Sequence, residues 1–137
     1  MNNAKFATAI HILSLLEYSK GEKLSSEYIA GSICLNPALV RKEISSLKKL
    51  GFIESKEGNG GGSYLARPAE SILLSEVYLA VKSSQLLGRY NNPNPACPVG
   101  RQINTHLEQL HNEAEQSMLK SLAQQNLRDF SKKFKAE

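Results

Sequence analysis

Residues 51–67 read Gly-Phe-Ile-Glu-Ser-Lys-Glu-Gly-Asn-Gly-Gly-Gly-Ser-Tyr-Leu-Ala-Arg. Two short β-like runs, 52–55 and 63–66, flank a turn in which four of five residues are glycine: Gly58, Gly60, Gly61 and Gly62. Glycine at this density supplies positive φ and lets a loop tip come close to another molecule. The pattern predicts a β-hairpin, and its meaning depends on what precedes it.

Three helical segments precede it. Over residues 3–18, Phe6, Ala9, Ile10, Leu13 and Leu16 recur at helical spacing, and Gly21 closes the segment. A short second helix begins near Ser25, an N-cap residue, with Glu27 in the favourable first turn and Ile29, Ala30 and Ile33 inward. Asn36 then caps, and Pro37 opens, a third helix over 37–50, where the missing proline N–H costs nothing. Val40, Ile44 and Leu47 point inward, and Gly51 is the stop. The opposite face offers Ala38, Arg41, Lys42, Ser45 and Lys48. From Arg41 to Lys49 there are four positive residues against one negative, Glu43, while the rest of the chain is nearly balanced. Helix, turn, helix, hairpin is the winged helix-turn-helix plan.

Beyond the hairpin, residues 67–70 form a turn and 74–82 read as a fourth helix with Ser75 as its cap. Residues 88–98 are an extended linker, because three prolines in six positions exclude a helix. A long helix follows from residue 99 to about 125. Ile103, Leu107, Leu110, Ala114, Met118 and Leu122 step along it by three or four, a seam that calls for a partner helix. The simplest partner is the same helix of a second chain. Leu127, Phe130 and Phe134 continue as a short amphipathic tail. The predicted fold class is therefore mainly α with a small β-hairpin wing. Its division is a winged helix-turn-helix domain at 1–84, a linker at 85–98, and a dimerisation helix and tail at 99–137.

Composition narrows the function classes. The 137 residues are 41% hydrophobic and 22% charged, ordinary for a globular protein and long enough to bury a core without disulfides. No apolar run is long enough to span a membrane and no secretory signal opens the chain, so a cytoplasmic location is expected. The net charge of +4 is compatible with nucleic acid without demanding it. There is no P-loop, dinucleotide fingerprint, nucleophile elbow or HExxH motif, and no Lys-Ser or Lys-Thr follows Gly62. The chain reads as a non-enzyme with no cofactor and no metal.

The expected partner is double-stranded DNA. In this plan the start of the third helix enters the major groove. Arg41 suits bidentate contact to guanine, and Ala38, just after Asn36 and Pro37, suits a thymine methyl. Lys42, Lys48 and Lys49 suit phosphates or solvent, and Ser45 shares their DNA-binding face. Ser25 and Ser26 place backbone N–H groups at a helix start for a phosphate. The wing, with Lys56, Asn59, Gly60, Gly61 and Tyr64, would lie over the DNA backbone or reach the minor groove. Each charge taken alone is as readily a solvated helix face; the ordered set favours DNA. A protein-docking winged helix remains a second reading, since fold does not choose function. A small-molecule sensor with a pocket between the fourth and the long helix is a third.

Two cysteines carry the remaining chemistry. Cys97 stands just before the long helix, where helix dipoles stabilise a thiolate and raise its reactivity. Cys34 ends the second helix beside an apolar stretch and reads equally as a small core residue or as a redox partner of Cys97. An inducible disulfide within or between chains, or a sulfenic acid at Cys97, fits two intracellular thiols better than a structural disulfide. His106 and His111 read as solvent-side or dimer-interface residues of the long helix, and His11 as packed or partly exposed.

Four segments carry a family resemblance: Ala9-Ile10-His11-Ile12-Leu13, Asn36-Pro37, Leu47-Lys48-Lys49-Leu50-Gly51-Phe52-Ile53, and the run from Gly60 through Leu65-Ala66-Arg67-Pro68. Together they make the chain resemble the BadM/Rrf family of bacterial winged-helix transcription factors. The resemblance covers nearly the whole chain and implies homodimers, joined through the long helix, on a near-palindromic operator. Iron–sulfur members of that family look to carry three cysteines before and into the long helix. Here only Cys97 stands there, in Asn-Pro-Ala-Cys-Pro-Val-Gly, and one thiolate cannot supply the four ligands of a [2Fe–2S] cluster. The stretch resembles the cluster-free, YwnA-type branch, for which thiol sensing is the expectation. The chain thus reads as a homodimeric DNA-binding regulator, a repressor, with Cys97 as the expected thiol sensor and Cys34 as its candidate partner.

Overall fold

The computed structural model describes residues 4–83 and 85–136. Its elements run α1 (Lys5–Tyr18), α2 (Ser26–Ile33), α3 (Pro37–Lys49), β1 (Ile53–Lys56), β2 (Gly62–Leu65), α4 (Leu74–Val81), α5 (Pro98–Leu122) and α6 (Leu127–Ser131). A single 3-10 turn, Ala69–Ser71, precedes α4. Asn3, expected in the first helix, lies outside the described residues.

Helix α1 is the central element. Thr8, Ala9, Ile10, Ile12, Leu13, Ser14 and Leu16 are all buried, so more than one of its faces is covered. Around Ile12 and Leu13 pack Ile29 of α2, Val40 and Leu47 of α3, Ile53 of β1, Ile72, Val77 of α4 and Leu127 of α6. Each fully buried aliphatic side chain of this kind contributes about 1.5–3 kcal/mol. Leu127 brings the tail into the same core as the helix-turn-helix.

The local signals act as their chemistry requires. Ser25 Oγ accepts from the Tyr28 N–H at 3.1 Å, and Asn36 Oδ1 accepts from the Ala38 N–H at 2.7 Å. Gly51 takes φ +89 directly after the α3 C-cap. The strands pair antiparallel with Ile53 opposite Leu65 and Lys56 opposite Gly62, one residue displaced from the expected runs.

Three expectations need correction. Ser75 does not cap α4: the N-cap is Leu73, and Ser75 is buried in the first turn. The reason lies in the tail. The Leu74 N–H donates to the Gln125 carbonyl at 3.1 Å, and the Leu127 N–H donates to the Ile72 carbonyl at 2.8 Å. Backbone from a distant segment thus satisfies the helix start that a side-chain cap would serve. Helix α5 begins at Pro98, with Cys97 as N-cap, and ends at Leu122 rather than near 125. His111 is neither solvent-side nor free for an interface; at 4% exposure it is buried within the chain.

That burial reflects a polar network between α4 and α5. Glu115 Oε2 accepts from Lys82 Nζ at 2.9 Å and from the Tyr78 hydroxyl at 3.1 Å. The lysine hydrogen bond holds the Glu115 carboxyl below its ordinary range against the opposing effect of burial, and burial pushes the Tyr78 phenol up. This network ties α4 and the residue after it to α5.

Candidate nucleic-acid interface

Helix α3 and the hairpin enclose one open groove. Its lining includes Ser26 from the start of α2, Arg41, Ser45 and Lys48 from α3, and Lys56 from β1. Three elements separated in sequence thereby contribute to one face, with three cations and one carboxylate, Glu57, among its side chains. Val40, Ile44 and Leu47 fix this arrangement, because burying them turns the Arg41, Ser45 and Lys48 positions outward.

Asn36, Pro37 and Ala38 form the exposed start of α3, and Lys42 is exposed beside them. Asn59 and Gly60 sit at the exposed wing tip. Tyr64 lies half-buried on β2, with Lys23 Nζ 5.5 Å from its ring centroid. Ser25 is exposed, although its hydroxyl is engaged in capping α2.

The wing glycines have structural work of their own. A Cβ on Gly61 would lie 2.1 Å from the Lys56 carbonyl oxygen. At Gly62, with φ +145, it would lie 2.6 Å from the Leu24 carbonyl oxygen. Leu24 sits this close because it exchanges two backbone hydrogen bonds with Ser63, of 3.0 and 2.8 Å. The segment before α2 therefore clamps the hairpin, and only glycine fits beneath it.

Two features of the site escaped the sequence. Arg41 Nη1 lies 3.5 Å from Glu27 Oε2, an exposed ion pair joining α2 to α3. Arg67 forms a fork on Glu76, with Nη1 to Oε2 at 2.5 Å and Nη2 to Oε1 at 3.0 Å, and this pairing raises its pKa. Arg67 therefore braces the wing exit against α4.

Both cysteines are exposed free thiols. Of the two readings of Cys34, the buried one does not hold: it is the α2 C-cap, in the left-handed region at φ +64. Cys97 Sγ accepts from the Gly100 N–H at 3.4 Å at the start of the 25-residue α5. Helix α5 itself is asymmetric. Val99, Ile103 and Leu110 are exposed, whereas Leu122 packs on the core. His106 is exposed, and His11 Nε2 lies 3.0 Å from Ser32 Oγ.

A helix-turn-helix with a clamped wing and a groove carrying three cations between them defines the class by fold: a winged helix-turn-helix protein. A family model described as Rrf2, iron-dependent transcriptional regulator, matches residues 2–133, and the chain belongs to this family. It is 45% identical over 130 residues to YwnA of Bacillus subtilis, described as an HTH-type transcriptional regulator, covering 94% of this chain and 96% of that protein. IscR of Cereibacter sphaeroides is 36% identical over 73 residues, 53% of this chain and 40% of that one. A solved structure described as a DNA binding protein is 37% identical, with TM-score 0.73, covering 92% of this chain and 97% of its own. CymR, the global cysteine regulator of B. subtilis, shares the fold at TM-score 0.73 with 18% identity, over 98% of both chains.

The family description implies iron, and the donor set does not fit it. The chain has two cysteines, and among the described residues no three His, Cys, Asp or Glu side chains converge as metal ligands. The described residues of one chain therefore offer no four-ligand iron–sulfur site. Among the described residues no helix is long and apolar enough to cross a membrane.

Proposed function

We propose that the protein is a homodimeric, cytoplasmic repressor that binds a near-palindromic operator and releases it on thiol oxidation. The observation that carries the DNA reading is the shared groove in which Arg41, Ser45, Lys48 and Lys56 line facing walls. Arg41 reads a base edge, Ala38 packs near it, and Lys42, Lys48 and Lys56 neutralise phosphates. Ser25, Ser26, Asn36 and Pro37 set the backbone approach, while Asn59, Gly60, Gly61 and Tyr64 carry the wing.

The dimer reading is supported by the exposed apolar row Val99, Ile103 and Leu110 on α5. Two such helices pack together and fix the spacing of the two recognition helices. The thiol reading is supported by Cys97 at the α5 N-terminus and Cys34 at the turn into α3, both exposed. A disulfide between the two, closed across chains, removes two thiol hydrogens to an oxidant and ties the linker of one chain to the recognition unit of the other. The half-sites then no longer match the groove spacing.

A mobility-shift titration with the DNA upstream of the protein's own gene, combined with sedimentation of the complex, tests this reading. The expected product is two chains per operator. A complex with one chain, or binding no tighter than to unrelated DNA, argues against it.

A further inference from the structure

A second groove lies away from the DNA face, between α1 and the tail. Its volume is about 610 Å³, within the roughly 300–1,000 Å³ typical of small-molecule sites. Four aromatic side chains line it: Phe6, Tyr18, Phe130 and Phe134. Phe130 and Phe134 meet edge to face with centroids 5.5 Å apart, so one wall is already set for a third ring.

Two polar groups break the apolar lining in a particular way. Ser14 is only 6% exposed, yet its hydroxyl has no hydrogen-bond partner among the described residues. A buried hydroxyl without a partner costs free energy that a ligand would recover. Among the described residues Lys135 is the one charged side chain in the lining, and it makes no ion pair with any of them.

We propose that this groove binds an aromatic carboxylate, its ring seated among the four aromatic side chains, its carboxylate on Lys135 and a polar substituent or edge on the Ser14 hydroxyl. Charge complementarity selects the anion. A second copy of the chain is the less fitting occupant, because the exposed apolar row for such contact lies on α5. The groove also touches the DNA-binding unit, since His11 and Ser32 of α2, which share a hydrogen bond of 3.0 Å, both line it. As an effector site it rests on the DNA-binding reading; as a binding site it does not.

The test uses 2-naphthoate and its uncharged analogue 2-naphthalenemethanol, titrated into the full chain. The chain has no tryptophan, so naphthyl fluorescence reports binding directly. Naphthoate should saturate at one per chain. Lys135→Gln should weaken naphthoate about fivefold and leave the alcohol unchanged. Phe134→Ala should weaken both about tenfold. Phe134 is 46% exposed and Lys135 is exposed, so both variants should keep the wild-type circular dichroism and melting temperature. No saturable binding, or binding that neither variant alters, overturns the proposal. Dissociation of the wild-type oligomer by Phe134→Ala also overturns it, by making the groove a contact between chains. None of these outcomes depends on DNA, so failure here leaves the DNA-binding reading standing.

Discussion

Arg41 Nη1 and Glu27 Oε2 lie 3.5 Å apart across the junction of α2 and α3. The guanidinium proposed to read a base is thus oriented before DNA arrives, and it must exchange a carboxylate for its target. Both side chains are well exposed, and such pairs are worth no more than about 1 kcal/mol. Glu27→Gln should therefore tighten operator binding up to about fivefold, because it frees Arg41 and removes a negative charge near phosphates. Fluorescence anisotropy with operator DNA checks this; weaker binding would mean that Glu27 positions Arg41 for DNA rather than competing with it.

The clamp between Leu24 and the wing predicts a stability difference between two glycines. Gly62→Ala meets backbone at 2.6 Å in an unfavourable conformation and should cost about 2–4 kcal/mol. Gly88→Ala, at φ +94 with nothing within 4 Å, should cost about 1–2 kcal/mol for conformation alone. Urea unfolding midpoints compare the two. Equal losses would show that Leu24 yields easily.

Acid should weaken the junction of α4 and α5. Folding lowers the Glu115 carboxyl below its ordinary 4.5, chiefly through Lys82, so as pH falls the unfolded chain takes up the proton first. The stabilisation is fully present above about pH 4.5 and is lost as pH drops through the lower folded value. Glu115→Gln should cost about 1–3 kcal/mol at neutral pH and should flatten the acid limb of the stability curve. An unchanged acid limb would assign the acid sensitivity to other carboxylates.

Much of this architecture was legible in the chain because its signals are local. Asn36-Pro37, Ser25 and Gly51 act within one turn of helix, and the Val40, Ile44 and Leu47 spacing orients α3 without reference to anything else. What escaped depends on contacts between distant segments. Ser75 looked like a cap until the Gln125 backbone took that role. Leu24 gave no sign of pairing with Ser63, and nothing local marks Glu27 as the partner of Arg41. The burial of His111 was more accessible: Glu115 stands four residues on, on the same helical face, opposite Tyr78 of α4 and Lys82 at its C-cap. The exposure of Cys34 was not, because its left-handed backbone is set by how α2 turns into α3.

Oxidation provides a prediction on the thiols. Diamide or dilute hypochlorite should convert the wild-type chain to a dimer-sized band on non-reducing electrophoresis and lower operator affinity at least tenfold. Cys97→Ser should abolish both responses. Cys34→Ser should abolish the band and leave Cys97 open to sulfenic acid formation, detectable by mass. A Cys97→Ser protein that still releases DNA on oxidation would remove Cys97 from the sensing role.

Arg41, in the groove between α3 and the wing, is the side chain proposed to read the operator. The most direct test of that role is operator affinity of Arg41→Ala across a panel of single-base operator variants and a salt series, beside Lys48→Ala. Arg41→Ala should lose about 1–3 kcal/mol and flatten the preference at one base pair in each half-site. Lys48→Ala should weaken all sequences alike and lower the salt slope by about one. Unchanged affinity and unchanged base preference for Arg41→Ala would contradict the assignment of α3 as the helix that reads DNA.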